Sequence, residues 1–165
     1  MATDVKRDIQ KLTDETIAEG GVLALLYFDV HGASAEEVRN KMVEFVSRIN
    51  MEPGVVTCYG EIKEPIQSED MYSTAAEVKV LTKDFNTLLT LGMRYGPISA
   101  EILRPEVLKI RMGEAATMIT NVANTSHQFS TFILNRVLSK EELAKFQKTM
   151  KQREEIGKKL IEEKK

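Results

Sequence analysis

Residues 20–34 read GGVLALLYFDVHGAS. An apolar run enters a polar Asp-x-His-Gly segment, and a helix start follows. The run is far shorter than the ~20 residues a membrane-spanning helix needs. In an extended chain Val22, Ala24, Leu26 and Phe28 point to one side, and Leu23, Leu25 and Tyr27 to the other. Both sides are apolar, so the spacing predicts a strand over 22–30 that is covered on both faces. It is expected to open into a loop carrying Asp29, His31, Gly32 and Ser34.

Ser34 and Glu37 form a capping box, the signature of a helix N-terminus. Val38, Met42, Phe45, Val46 and Ile49 then make one stripe, ended by Asn50 and by Glu52-Pro53-Gly54. Two alternating segments follow, Val55–Ile62 and Met71–Leu81, joined by a polar loop over 63–70. In the first, Val56, Cys58 and Ile62 are expected inward. A helix over 83–95 turns Phe85, Leu88 and Leu89 inward and ends at Gly96-Pro97. Ile98–Leu103 alternates again. The order over 22–103 is β-α-β-β-α-β, and right-handed crossovers give strand order 4-1-3-2 with both helices on one face.

Upstream, Val5, Ile9, Leu12 and Ile17 space an amphipathic helix over 4–19. Downstream, Val107–Arg111 reads as a short extra strand, and a long helix runs over 113–138. A second capping box, Ser139 to Glu142, opens a helix carrying Leu143, Phe146, Met150, Leu160 and Ile161, weakened at Gly157. The fold class is therefore α+β: a ferredoxin-like βαββαβ sandwich with an N-terminal helix and a C-terminal helical hairpin. The expected organisation is an N-terminal helix (1–21), the α+β core (22–111) and the helical C-terminal part (112–165).

The 165 residues are 42% apolar and 29% charged, with a formal charge of −2. That balance supplies no general attraction to nucleic acid or to an anionic membrane. Cys58 is the single cysteine, so no disulfide forms within the chain. With no apolar signal segment at the N-terminus, a cytoplasmic protein is expected.

Leu23, Leu25, Tyr27 and Ala75 are expected bare on the face away from the helices, with Tyr59 beside them. Such a patch marks an interaction surface. Terminal helices of the same chain, a second copy or stacked RNA bases are the available covers. RNA recognition on this topology needs central aromatics and basic neighbours. The third strand offers Ala75, Glu77 and Lys79 instead, so nucleic acid is not expected. A homo-oligomer is, with Ile119, Phe129 and Ile133 of the long helix joining Leu23, Leu25 and Tyr27 as interface residues. Asn121, Asn124, Ser126 and His127 suit a helix–helix contact in which some polar groups pair.

A small-ligand site is expected where the first strand's loop, the 63–70 loop and the turn at 94–96 gather. Its residues are Asp29, His31, Gly32, Ser34, Arg94 and Tyr95. The helix-start amides favour an anion there, Gly32 admits a ligand to the backbone, and Arg94 supplies a counter-charge. No nucleophile elbow, phosphate-binding loop, HExxH helix or dinucleotide fingerprint is present. Cys58 reads as an inert core thiol, and His31 and His127 are too scattered for a metal site. No catalytic residue, metal or cofactor is assigned, and the expectation is a non-enzymatic module. A structural or adaptor protein working through its long helices is the alternative.

The strand-loop-helix over Leu25–Val38, with Asp29 and Gly32 at the turn, resembles the start of ACT-type regulatory domains. Those share the βαββαβ topology and commonly place Asp-x-x-Gly here, with a proline where this chain has His31. The resemblance implies sensing of an amino acid or similar small ligand at a subunit interface, through the Asp29–Gly32 loop of an oligomer. The overall pattern, a compact core with a Glu/Lys-rich helical tail, is similar to that of uncharacterised small archaeal proteins, and implies a fold without a function.

Overall fold

In a computed structural model of the chain, the described residues are 2–139 with 141, 142, 144, 145, 148, 149, 151 and 152. They divide into two compact units, residues 1–119 and 120–165. The first holds an α+β fold built on a five-stranded antiparallel sheet. In chain order the elements are α1 (Ala2–Ala18), β1 (Val22–Gly32), α2 (Ala35–Asn50), β2 (Val55–Ile62), β3 (Ile66–Ser68), β4 (Met71–Thr82), α3 (Phe85–Tyr95), β5 (Ser99–Arg104) and α4 (Met112–Val137).

The strands lie in the order β2-β4-β1-β5, with β3 paired to β4. β1 is therefore flanked on both sides, by β4 along its whole length and by β5 from Leu23 to Tyr27. Its even residues Val22, Ala24, Leu26 and Phe28 are buried with Ala76, Val78 and Val80 of β4. Met42 and Ile49 of α2 and Leu88 and Leu91 of α3 close that core. Burying each larger aliphatic side chain contributes about 2 kcal/mol. The expected α2 stripe is thus the buried one. In α3, Leu91 takes the inward place expected for Leu89, which is half-buried.

Local chemistry sets the helix ends. Ser34 accepts from the Glu37 amide at 3.2 Å, and Glu37 Oε2 accepts from the Ala33 amide at 2.9 Å. Asp84 accepts from both the amide and the hydroxyl of Thr87, at 2.7 and 2.8 Å. Gly96 closes α3 in the left-handed conformation (φ 56°) that suits glycine.

α1 packs on the other side of the sheet, against β1 and β4. There Leu81 is fully buried and Leu23 half-buried. The docked residues are Ile9, Thr13 and Thr16, whereas the expected Leu12 is 38% exposed. Both threonines tolerate burial because each hydroxyl bonds the carbonyl four residues back, Ile9 O at 2.7 Å and Leu12 O at 2.8 Å. Arg104 Nη1 to Asp14 Oδ1, at 2.6 Å, ties the end of β5 to α1. Gly21 is required where α1 meets the end of β4, since a Cβ there would sit 2.4 Å from Thr16 Cγ2 and 2.6 Å from Thr82 O.

Several expectations are corrected. β1 continues through Asp29, His31 and Gly32, because β4 pairs with each of them out to Tyr72. A bulge between Val55 and Thr57 shifts the start of β2, so Val55 packs on the core and Val56 is exposed. The 63–70 loop contains β3, while 107–111 forms no strand. Only Leu108 of that segment packs on the core.

In the C-terminal segment Ser139 and Glu142 make the expected capping box: Ser139 Oγ donates to Glu142 Oε2 at 2.6 Å, and the Glu142 amide donates back at 3.4 Å. The described residues between 141 and 152 are helical. The side chain of Val5 and residues Leu143, Phe146, Met150, Gly157, Leu160 and Ile161 lie outside what is described.

Candidate functional site

Asp29 and His31 are alternate residues of one strand, so their side chains share a face. His31 Nε2 lies 2.8 Å from Asp29 Oδ2, and both side chains are about half exposed. The pair stands on the sheet surface next to Ala75 and Ser73 of β4, and not in a loop. Gly32 lies where a Cβ would come within 3.0 Å of Val38 Cγ1 and 3.1 Å of Glu37 Oε2. Its bareness therefore makes room for the first turn of α2.

That turn is already occupied. The chain's own Glu37 fills the helix start, taking the Ala33 amide while Ser34 takes the Glu37 amide. The Lys41 ammonium bonded to Glu37, together with the Ala33 amide, holds the Glu37 carboxyl below its ordinary range. The chain's own carboxylate, paired with Lys41, thus takes the Ala33 amide at the helix start that was expected to favour an anion.

Arg94 and Tyr95 are placed elsewhere. Arg94 Nη1 donates to Glu52 Oε2 and the Tyr95 hydroxyl donates to Glu52 Oε1, each at 2.6 Å. Ser34 caps the start of α2 and Glu52 follows its end, so some 24 Å of helix separates them at 1.5 Å per residue. The six residues expected at one site are therefore in two groups: Asp29, His31, Gly32 and Ser34 at one end of α2, Arg94 and Tyr95 at the other.

Glu52 is the hub that sequence reasoning missed. An acid just past a helix end and before Pro-Gly reads as turn chemistry, and its two donors arrive from residues more than 40 positions away. The Tyr95 ring packs edge-on against Phe45, which packs edge-on against Phe28, with centroids 5.3 and 5.0 Å apart. Burial, with the bond to Glu52, pushes the Tyr95 phenol up to about 12. The same bond, then Arg94, holds the Glu52 carboxyl below its ordinary 4.5. Folding favours the Glu52 carboxylate, so its stabilisation is complete above about pH 4.5 and disappears as pH falls through the lowered native value. Glu52→Gln should flatten the fall of melting temperature on acidification below 4.5; an unchanged slope would dismiss this role.

The face expected to be a bare apolar patch is neither bare nor uniformly apolar. α1 covers its Leu23–Leu81 end, and Leu25 and Tyr27 are half-buried. Charges break up the remainder. Lys63 Nζ reaches Glu61 at 3.1 Å and Glu77 at 3.4 Å, and Tyr27 donates to Glu101 at 3.1 Å. Ala75 is exposed, and Tyr59 is 38% exposed.

The long helix differs. Ile119, which ends the first unit, is 71% exposed. In the second unit Val122, Phe129, Phe132 and Ile133 are 43, 55, 56 and 57% exposed. The Arg136 guanidinium lies 4.6 Å from the centroid of the Phe132 ring. His127 is exposed on the same helix.

Burial pushes the Cys58 thiol up to about 11, which leaves it a poor nucleophile. Among the described residues no three His, Cys, Asp or Glu side chains are grouped to hold a metal ion, and no helix is long and apolar enough to cross a membrane. Compared with known proteins, the model of the MJ0538 family matches residues 23–165. No curated protein and no solved structure matches the chain.

Proposed function

The chain belongs to the MJ0538 family, and we propose that it works as a self-associating, non-enzymatic module whose long helix pairs with that of a second copy. The observation that carries this reading is the exposed row of Val122, Phe129, Phe132 and Ile133 on α4. Large apolar side chains left in water at helical spacing gain free energy when a complementary surface covers them.

A second copy suits the row because it is self-complementary. An antiparallel pairing centred on Ser126 sets each Phe129 against the other copy's Ala123, and each Val122 against the other's Ser130. In those two pairs a large residue meets a small one, as a knob meets a hole. The mass in solution tests the reading. Twice the 18.6 kDa of one chain is expected, and a monomer at all concentrations would overturn it. A lone thiol and a surface rich in both charges suit work in a reducing cytoplasm.

A ferredoxin-like arrangement is supported by the order of the four long strands, β5-β1-β4-β2, which puts the first of them inside the sheet beside the last. The ACT-like reading, in which this core also takes a small ligand, is favoured by the half-exposed Asp29–His31 pair at the end of that strand. It requires that free amino acids raise the melting temperature of the wild-type chain and not that of Asp29→Ala. Equal shifts, or none, would remove it.

A further inference from the structure

A cleft of about 570 Å³ lies in the first unit between the Glu19-Gly20 turn, the start of α3 and residues 108–118. That volume falls within the range of small-molecule sites, roughly 300–1,000 Å³. Lys109 and Arg111 line it, and neither makes an ion pair among the described residues. Lys83 borders it too, but its Cε lies beside Gly54, 2.9 Å from where a Cβ there would be. Three acids, Glu19, Asp84 and Glu114, also lie on its wall, and two of them are bonded to neighbouring amide or hydroxyl groups. Asp84 is turned onto the amide and hydroxyl of Thr87, and Glu114 accepts the Arg111 amide at 3.0 Å. Phe85, Leu108 and Met118, each half-buried, supply an apolar floor.

We propose that this cleft binds a small organic anion: a phosphate or carboxylate head met by Lys109 and Arg111, with a compact apolar body against Phe85, Leu108 and Met118. The cations provide charge-assisted hydrogen bonds, strongest where the head is partly shielded from water. The floor gains from covering its exposed carbon. Neither half suffices: a bare inorganic ion leaves the floor wet, and a neutral apolar molecule leaves Lys109 and Arg111 without an anion. The site is separate from the Asp29–His31 pair and from the α4 row, and its test does not depend on self-association.

The test follows backbone amide resonances of the isotope-labelled full chain during titration with hexyl phosphate, hexanoate and 1-hexanol. Saturable shifts at Gly20, Asn86, Lys109 and Gly113 are expected with at least one anion, and the stronger of the two identifies the head group. 1-Hexanol should give little at those positions. The Lys109→Ala/Arg111→Ala double variant, altered only at exposed side chains, should bind about tenfold more weakly or worse. The proposal is overturned if neither anion gives saturable shifts there, if 1-hexanol binds as well, or if the double variant keeps wild-type affinity.

Discussion

Replacing Phe129 and Ile133 together by aspartate should convert a two-copy assembly into a monomer without unfolding the α+β unit. Both side chains are more than half exposed in the single chain, so neither substitution opens a cavity in a core. In the paired state each copy would instead bury two carboxylates against the other's apolar row. Each lost side chain removes about 2 kcal/mol of burial. An unpaired charge in a dry interface adds a larger penalty, or forces the interface to stay wet. With two substitutions on each copy, the dissociation constant should rise by about a thousandfold or more, since ~1.4 kcal/mol is a factor of ten. Sedimentation equilibrium reads the change directly. Far-ultraviolet circular dichroism and the thermal transition should stay near wild type. A double variant that sediments as the wild type does would place the interface elsewhere and sink the reading built on this row.

The second large effect is expected at Gly60, in the middle of β2 opposite Val78 of β4. A Cβ built there would lie 2.1 Å from Glu77 O and 2.9 Å from Val78 Cα. Both are main-chain atoms of β4, which is held on its other side by β1. They cannot swing away as a side-chain tip can, so the strands must part or slip. Gly60→Ala should therefore lower the unfolding free energy by about 3 kcal/mol, the upper part of the usual overpacking range. Glu61→Ala is the matched control. Its side chain is 72% exposed, and the change should stay within about 0.5 kcal/mol. Denaturant titration of the two variants beside wild type separates them. If Gly60→Ala is as stable as Glu61→Ala, the close approach of β2 to β4 is wrong.

Features that depend on residues close in the chain are legible in the sequence itself. The box from Ser34 to Glu37 and the box from Ser139 to Glu142 are made by side chains three positions apart, and both form. The stripe of α2 depends on one helical period, and the buried residues follow it. The pattern misleads where a distant segment decides the outcome. The Asp-x-His-Gly sequence has turn composition, yet eleven consecutive pairings with β4 keep it extended. Thr13 and Thr16 look like polar helix residues, yet docking against the sheet buries them once their hydroxyls bond back to the helix. Val55 and Val56 are equivalent as letters, and only a bulge against β4 chooses which one faces the core. The candidate site divides for the same reason. Residues 29–34 stay together because they are neighbours, whereas Arg94 and Tyr95 go to whichever partner the fold presents, and that partner is Glu52.

The stretch at residues 20–34 determined by itself that a strand with two apolar faces runs through this protein and must be covered on both. Periodicity carries that information, because side chains alternate whatever the rest of the chain does. The order of elements in the sequence already put two helices on one face, and tertiary structure alone decided that α1 covers only part of the other. It also decided that the polar end of the strand stays in the sheet and that α4 keeps an apolar row in water. Each of those outcomes is a competition between surfaces far apart in sequence, settled by which contacts bury more apolar area without stranding a polar group.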